Sequence, residues 1–331
     1  MKFLCIGSGS IGKRHMRNLL AIGVSPSDIT ATDPRDDRRD EVKAMGIQSV
    51  FATFEEALDA GKYDAAFVCS PTNLHIPQGI ELANRGIHIL MEKPLAHDLE
   101  GIEEFKVAIA ANNVVVLMAY IFRFSPLTDK VRELLDSGVI GDVRFVRGEF
   151  SEYLPDWHPY EDYRSFYMAE KKQGGGSILD QSHIMDLVHY LFGGFDTVYA
   201  LNGNLSSLEV NSDDYSELTV KLKNGIIASI HTDMFGRDHK KELEIKGEKG
   251  NIYWSSTRNI VTHYDGESRT ETVYRKFPPD FNLNYITELK HFLACCEGSE
   301  QPRASLQHGI ETMELILACY RSVESGAAEK V

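Results

Sequence analysis

The sequence has few features of a metal-binding or membrane protein. Its 331 residues include five cysteines, and neither a Cys-x-x-Cys pair nor a His-x-x-x-His pair occurs. We therefore expect no metal site and interpret the cysteines as reduced thiols. No apolar run approaches the length of a membrane span, and the residues before the first glycine are too few for a signal-peptide core. We expect a cytoplasmic protein without a membrane partner.

The sequence also lacks an excess of positive charge, since its formal net charge is −14 at pH 7. Proteins that bind nucleic acids present a basic face to the phosphates, so this balance argues against a nucleic-acid partner. Hydrophobic residues make up 43% of the chain and charged residues 25%, which is ordinary for a globular enzyme with room for two domains. The composition alone does not indicate a substrate.

The first 120 residues alternate short apolar runs with helical patterns. This alternation is typical of a parallel sheet with crossover helices. It predicts a doubly wound sheet of six strands, that is, a Rossmann domain over residues 1–120. The apolar runs locate five of the six strands, near residues 3–6, 29–33, 65–69, 87–91 and 114–118.

After Phe122 the pattern changes. Residues 197–277 alternate between apolar and polar at every second position, which indicates an antiparallel sheet. Helices are predicted near residues 126–137, 177–192, 283–296 and 306–325. We therefore predict that residues 121–331 form a second domain of the α+β class, with a large, mainly antiparallel open sheet.

The first predicted strand runs into a glycine loop, Gly7-Ser8-Gly9-Ser10-Ile11-Gly12. A strand before such a loop, a helix after it and an acidic residue about 20 positions further on form a dinucleotide-binding fingerprint. Gly7 permits the tight turn, Gly9 lets the backbone approach the pyrophosphate, and Gly12 allows close helix packing. The loop, including Ser10 and Ile11, is predicted to hold the pyrophosphate at the helix N-terminus.

The acidic residue of this fingerprint is Asp33, at the end of the second predicted strand. Its carboxylate is placed to accept hydrogen bonds from the adenosine ribose and would repel a 2′-phosphate, which favours NAD over NADP. Arg35 and Arg38 follow closely and could hold a phosphate, so NADP stays open. Asp33 could instead only cap the turn before Pro34.

Glu92-Lys93-Pro94 follows the strand predicted near residues 87–91. In doubly wound sheets, ligands bind outside the carboxyl ends of the strands. Lys93 is therefore predicted to lie beside the nicotinamide, whereas a random surface lysine would usually lie on the flank of a helix. Position alone leaves a surface lysine without a role as the alternative.

Three motifs are informative together: Cys69-Ser70-Pro71-Thr72-Asn73-Leu74-His75, Glu92-Lys93-Pro94 and Gly174-Gly175-Gly176-Ser177-Ile178-Leu179-Asp180-Gln181-Ser182-His183. They resemble motifs of the Gfo/Idh/MocA oxidoreductase family, which includes glucose–fructose oxidoreductase and inositol dehydrogenase. The closing elements also fit, so the resemblance covers nearly the whole chain. It implies that the cofactor contacts a further set of residues: Ser70, Pro71, Thr72, Asn73, His75, Glu92 and Lys93.

The resemblance further implies that Lys93 and His183 flank the substrate carbon, with Asp180 assisting. Histidine suits proton transfer, and a lysine ammonium would stabilise a developing alkoxide. The common family spacing is Asp-x-x-x-His, whereas Asp180 and His183 are three positions apart. On one continuous helix both spacings keep the side chains on the same face, so His183 is still predicted to reach the site. His183 could instead be a core histidine, and Asp180 a carboxylate at a helix start.

Residues 153–164 are dense in aromatic and polar side chains. Trp157, Tyr163 and Arg164 suit a carbohydrate, because aromatic faces and polar groups lie close together in the sequence. Arg164 could in addition bind an anionic group by a bidentate contact. The same segment could instead be an ordered loop beside the sheet or at a subunit interface. Tyr120 and Arg123, where the two domains meet in the sequence, are also predicted to contact the substrate.

Together these features predict an NAD-dependent dehydrogenase acting on CH–OH groups. It would transfer a hydride between nicotinamide and a secondary hydroxyl or ketone of a sugar, nucleotide sugar or cyclitol. An NAD-dependent glycoside hydrolase of the same fold and a non-catalytic dinucleotide-binding regulator are the alternatives. The resemblance implies that residues 121–331 form the substrate-binding and oligomerisation domain. The predicted open sheet, together with the family resemblance, favours a homodimer or homotetramer.

Overall fold

The computed structural model describes residues 1–157 and 161–331, which form two compact units. Unit 1 contains residues 1–119 and 282–307, and unit 2 contains residues 120–281 and 308–331. All residues after 120 were predicted to form the second domain, whereas residues 282–307 belong to unit 1. Helical periodicity shows that a helix has an apolar face, but not which sheet that face covers. The return of the chain to unit 1 was therefore not visible in the sequence.

Unit 1 is a parallel sheet with crossover helices. Its strands are β1 (Phe3–Ile6), β2 (Ile29–Thr32), β3 (Ser49–Phe51), β4 (Ala65–Val68), β5 (His88–Met91) and β6 (Val116–Met118). Its first helices are α1 (Ser10–Ala21), α2 (Asp36–Ala44), α3 (Phe54–Ala60), α4 (His75–Asn84) and α5 (Ile102–Asn112). The strand order β3-β2-β1-β4-β5-β6 is that of a doubly wound sheet, so the predicted Rossmann fold is confirmed.

Local chemistry explains most of these elements. Every residue of β1 and β4 is buried, as expected for strands covered on both faces. The start of α3 is fixed by a capping box between Thr53 and Glu56. The apolar runs did not locate β3 because it is three residues long and only half-buried.

Unit 2 is built on a large mixed sheet. Its strands are β7 (Val143–Tyr153), β8 (Phe195–Gly203), β9 (Tyr215–Leu222), β10 (Ile227–Asp233), β11 (Phe235–Gly247), β12 (Gly250–Ser255), β13 (Ile260–Asp265) and β14 (Thr270–Tyr274), with β15 (Glu329–Lys330) at the chain end. Its first helices are α6 (Pro126–Asp136), α7 (Ser177–Asp180) and α8 (His183–Phe192). After β14 follow α9 (Asn282–Cys296), which belongs to unit 1, and α10 (Leu306–Ser325).

The strand order in unit 2 is β14-β13-β12-β11-β7-β10-β9-β8-β15. Neighbouring strands pair antiparallel except β7 and β10, which are parallel, so the mainly antiparallel sheet is confirmed. Alternate residues of β9 are buried, which gives the sheet a packed face and a more exposed one. On β8, Tyr199 and Leu201 are 43% and 50% exposed. No helix in the described parts of the chain is long and apolar enough to cross a membrane.

The predicted helix over residues 177–192 is wrong in one respect, because it is interrupted. Asp180 ends α7 and His183 begins α8, with Gln181 and Ser182 in a turn between them. The buried Gln181 side chain donates to the carbonyl oxygen of Asp233 at 2.6 Å, which holds the turn against β10. The three-residue spacing from Asp180 to His183 therefore spans a turn, and the argument from one helical face does not apply.

Candidate active site

The glycine loop joins β1 to α1. Gly7 has φ of +89°, and a Cβ there would lie 2.5 Å from the carbonyl oxygen of Cys69. A Cβ on Gly12 would lie 2.0 Å from the carbonyl oxygen of Gly7. A Cβ on Gly9 would lie 3.7 Å from Nη1 of Arg38, which is an ordinary van der Waals contact. Gly7 and Gly12 are therefore required by the turn itself, whereas at Gly9 the backbone is open for the close approach of a pyrophosphate.

Asp33 follows β2 and is only 2% exposed. Its Oδ2 accepts a hydrogen bond from the backbone N–H of Ser8 at 2.8 Å, and Oδ1 accepts one from Arg35 N–H at 3.0 Å. Asp33 thus holds the turn before Pro34 and also anchors the glycine loop. An ionised carboxylate has about four acceptor positions, which leaves capacity for ribose hydroxyls. Nη1 of Arg38 lies 3.6 Å from Oδ2 and places a positive charge beside it.

Two loops at the carboxyl ends of β4 and β5 carry the other predicted cofactor residues. In the loop after β4, Ser70, Pro71 and Asn73 keep exposed surface, whereas Thr72 is buried. His75 is buried and joins the two loops, because Nδ1 lies 2.9 Å from the carbonyl oxygen of Pro94 and Nε2 2.9 Å from that of Ser70.

Burial lowers the pKa of His75, so the neutral ring donates to one of these carbonyls at a time. A direct cofactor contact of the His75 side chain is not supported by this position.

Glu92 and Lys93 lie in the loop after β5. Glu92 is 8% exposed, and its Oε1 lies 2.9 Å from Nε2 of His15 on α1. Its Oε2 accepts a hydrogen bond from the backbone N–H of Lys93 at 3.3 Å. Lys93 keeps partial exposure at the sheet edge. Sequence reasoning missed His15, although its place three residues after Gly12 on the same helix was an available signal.

His183 lies in an aromatic environment of unit 2. The centroid of its ring is 5.3 Å from that of Phe122, 5.9 Å from that of Tyr120 and 6.3 Å from that of Phe150. These contacts restrict the ring while His183 keeps partial exposure. Asp180 is buried and accepts a hydrogen bond from the hydroxyl of Tyr167, a residue that sequence reasoning did not single out.

Arg123 and Tyr120 are fully buried, contrary to the prediction that they contact substrate directly. Arg123 donates from Nε to Oδ2 of Asp186 at 2.9 Å and from Nη2 to Oδ1 at 2.7 Å, and it stacks over Tyr190 at 4.7 Å. Burial raises the pKa of Asp186, and the guanidinium opposes that rise. Burial also raises the pKa of the Tyr120 phenol. A substrate contact of either side chain is not supported by these positions.

The aromatic segment forms short turns in the described residues. Trp157 and Tyr163 pack against a small apolar cluster of Leu154, Phe166, Met168 and Met234. Arg164 is half-exposed and forms ion pairs with Glu209 and Asp162. These contacts favour the ordered-loop alternative for this segment, of which residues 158–160 lie outside the described residues.

The doubly wound sheet, the glycine loop and the anchored Asp33 define a dinucleotide-binding domain. Residues 1–120 match the family model described as "Oxidoreductase family, NAD-binding Rossmann fold", and residues 132–331 match "Oxidoreductase family, C-terminal alpha/beta domain". The chain belongs to the Gfo/Idh/MocA oxidoreductase family, as the motifs predicted. It is thus an oxidoreductase with an NAD-binding Rossmann domain, and the open backbone at Gly9 fits that cofactor.

Relatives match over nearly the whole chain. A myo-inositol 2-dehydrogenase of Thermotoga maritima is 26% identical over 343 aligned residues, which cover 100% of this chain and 98% of the relative. A D-xylose 1-dehydrogenase (NADP(+)) of Haloferax volcanii is 26% identical, with 99% of both chains covered. The structure of a levoglucosan dehydrogenase with NADH and levoglucosan has a TM-score of 0.87 at 21% identity, covering 100% of this chain and 99% of the other. The last comparison shows a shared fold.

Proposed function

We propose that this protein transfers a hydride between NAD and a secondary hydroxyl or ketone of a sugar, nucleotide sugar or cyclitol. The observation that carries the proposal is the position of Lys93. It lies two residues after β5, at the carboxyl ends of the parallel strands, where the glycine loop and Asp33 also lie. Relatives named for myo-inositol and D-xylose support a polyhydroxylated substrate.

The roles of the residues follow from their chemistry. Bound NAD supplies the hydride acceptor or donor. The backbone around Gly9 holds the pyrophosphate, and Asp33 accepts hydrogen bonds from the adenosine ribose. The Lys93 ammonium donates a hydrogen bond to the substrate oxygen and stabilises its negative charge. His183 exchanges the hydroxyl proton, and Asp180, oriented by Tyr167, accepts a hydrogen bond from a second hydroxyl.

We infer a preference for NAD over NADP, because the carboxylate of Asp33 disfavours a 2′-phosphate. Arg38 lies beside this carboxylate and weakens the repulsion, so measurable NADP binding is expected as well. A tenfold preference for NAD corresponds to a difference of about 1.4 kcal/mol in binding free energy, which one charged contact can supply.

The test measures NADH absorbance with a panel of cyclitols, sugars and nucleotide sugars. The variant Lys93→Ala should lose about 10²- to 10³-fold in kcat while it binds NADH normally. Lys106→Ala is the matched control, because Lys106 is an exposed helix lysine paired with Glu103. Normal turnover by Lys93→Ala would overturn the mechanism. NAD binding without turnover of any substrate would instead support a non-catalytic binder.

We also propose a homodimer or homotetramer that uses the exposed sheet face of unit 2. Tyr199 and Leu201 on β8 present apolar surface there. Light scattering on the purified chain checks the mass, and Leu201→Lys should lower it. A monomeric wild-type protein would contradict this proposal.

A further inference from the structure

A cluster of buried and half-buried side chains in unit 1 has no role in the mechanism above. It comprises His15 on α1, Cys69 after β4, Glu92 after β5, and Tyr285 and Glu288 on α9. His15 and Glu288 have no exposed surface, and Glu92 has 8%. Buried polar groups in proteins are normally hydrogen-bonded, so such a cluster requires an explanation.

Glu92 connects two structural elements through its two carboxylate oxygens. Oε1 lies 2.9 Å from Nε2 of His15, which must donate because the carboxylate only accepts. Oε2 accepts from the backbone N–H of Lys93. One carboxylate therefore links the helix that the glycine loop opens to the loop that carries Lys93.

The ring of His15 is itself confined on two sides. Its centroid lies 5.2 Å from that of Phe67 on β4 and 6.1 Å from that of Tyr285 on α9. Arg14 lies over the Tyr285 ring at 4.7 Å. This packing fixes the direction in which Nε2 points, so the hydrogen bond to Glu92 has little freedom to shift.

Glu288 contributes a carboxyl group that finds no hydrogen-bond partner within the described residues. Burial, together with the neighbouring charge of Glu92, raises its pKa well above the ordinary range. Burial and Glu92 likewise raise the pKa of the Cys69 thiol. Both shifts favour the protonated, uncharged form of the group.

We propose that Glu92 is a positioning residue, held by His15, that fixes the Lys93 loop relative to the glycine loop. This inference rests on the proposed function, since it gives Lys93 its geometry for the substrate oxygen. Misplacing a catalytic group by about 1 Å can cost about 100-fold in rate, so a link of this kind affects kcat.

The test compares His15→Phe with His15→Gln. Phenylalanine keeps a ring between Phe67 and Tyr285 but has no donor, whereas glutamine carries an amide N–H that can reach Glu92. We expect His15→Phe and Glu92→Gln to lower kcat by about 10- to 100-fold while the dissociation constant of NADH changes by less than about threefold. His15→Gln should recover most of the lost activity. Glu288→Gln, which mimics the neutral acid, should keep kcat within about twofold of the wild type.

A second measurement does not depend on turnover. Mass spectrometry measures the rate at which acetic anhydride labels Lys93. This rate should differ between the wild type and His15→Phe, and in His15→Gln it should return to the wild-type value. If the wild type turns over no substrate, the proposed function fails while this labelling still judges the positioning role. Equal labelling in all variants, or equal losses of kcat in His15→Phe and His15→Gln, would overturn the inference.

Metal analysis of the purified protein tests the alternative that this cluster binds a metal ion. Donor atoms of His15, Cys69 and Glu92 all lie within 4.8 Å of one another, and zinc uses these donor types. Stoichiometric zinc that is lost in Cys69→Ser would overturn the positioning role, because His15 and Glu92 would then be metal ligands. Metal-free protein with the kinetic pattern above supports it.

Discussion

Two fully buried carboxyl groups in this protein are neutralised in different ways. Asp186 in unit 2 accepts a bidentate pair of hydrogen bonds from the buried guanidinium of Arg123. Glu288 in unit 1 is as deeply buried but has no hydrogen-bond partner among residues 1–157 and 161–331. Burial and the neighbouring carboxylate of Glu92 both raise the pKa of Glu288.

The difference shows two means of placing an acid in a protein interior. An isolated buried charge is too costly to persist, so the group must gain either a counter-ion or a proton. The first solution depends on a partner side chain and fails when that partner is removed. The second depends on pH and tolerates replacement by a neutral group of the same shape. Two experiments test this distinction, and a third examines a partly exposed ion pair.

The largest effect is expected from Arg123→Met. Removing one partner of a buried ion pair leaves an uncompensated charge and typically costs about 3–5 kcal/mol. Urea denaturation at neutral pH measures the loss. Arg132→Met is the matched control, because Arg132 also lies over Tyr190 but is exposed. It should cost much less, and the double variant Arg123→Met/Asp186→Leu should recover much of the stability.

If Arg123→Met were no more harmful than Arg132→Met, Asp186 would already be neutral in the native protein. The two buried acids would then share one solution, and the contrast drawn above would fail.

A pH-dependent effect is expected from Glu288→Gln. The unfolded chain releases the Glu288 proton near the ordinary pKa of 4.5, whereas the folded protein, with its raised pKa, retains it. Above that pH the wild type must take up a proton to fold, so its stability falls by about 1.4 kcal/mol per pH unit up to the folded-state pKa. Glutamine has no proton to take up. The stability of Glu288→Gln relative to wild type should therefore rise with pH, as urea denaturation between about pH 5.5 and pH 7.5 can measure.

A constant difference over that pH range would show that Glu288 is ionised in the folded protein. In that case its charge would need a partner that the described residues do not provide.

The smallest effect is expected at His231 on β10, where a cation lies between two carboxylates. Hydrogen bonds from His231 to Asp233 and Glu217, both 2.9 Å long, raise its pKa to about 9. Since a raised histidine pKa favours the charged folded state, the stabilisation is complete below about pH 6.5 and is lost as pH rises to about 9. The side chain is 32% exposed, so solvent screens the effect. The melting temperature of His231→Gln should lack this alkaline decrease, whereas equal pH profiles would exclude a charged His231.

Local features of the sequence were enough to predict the Rossmann fold and the cofactor loop. Strands buried on both faces appear as apolar runs, and Gly7 and Gly12 are required by the turn they form. The place of Lys93 at the carboxyl end of β5 followed from the same reasoning, because Lys93 comes two residues after a predicted strand.

The contacts that hold the site together were not predictable, because they join residues far apart in the chain. His15 with Glu92 and Arg123 with Asp186 are separated by 77 and 63 positions. Pattern and composition carry no information about such pairings. The same limit led to Arg123 being predicted as a substrate contact, and it concealed the turn that Gln181 forms with the carbonyl of Asp233.

The position of α9 in unit 1 has a consequence for synthesis on the ribosome. The ring centroid of Phe292 on this helix lies 5.8 Å from that of Phe67. The backbone N–H of Met118 donates to the carbonyl oxygen of Ala304, a few residues after the helix ends. At about 5–20 residues per second, α9 follows residue 120 by roughly 10–30 s. During that interval the nascent Rossmann sheet exposes apolar surface that only a later part of the same polypeptide covers, so it is a natural client for chaperones.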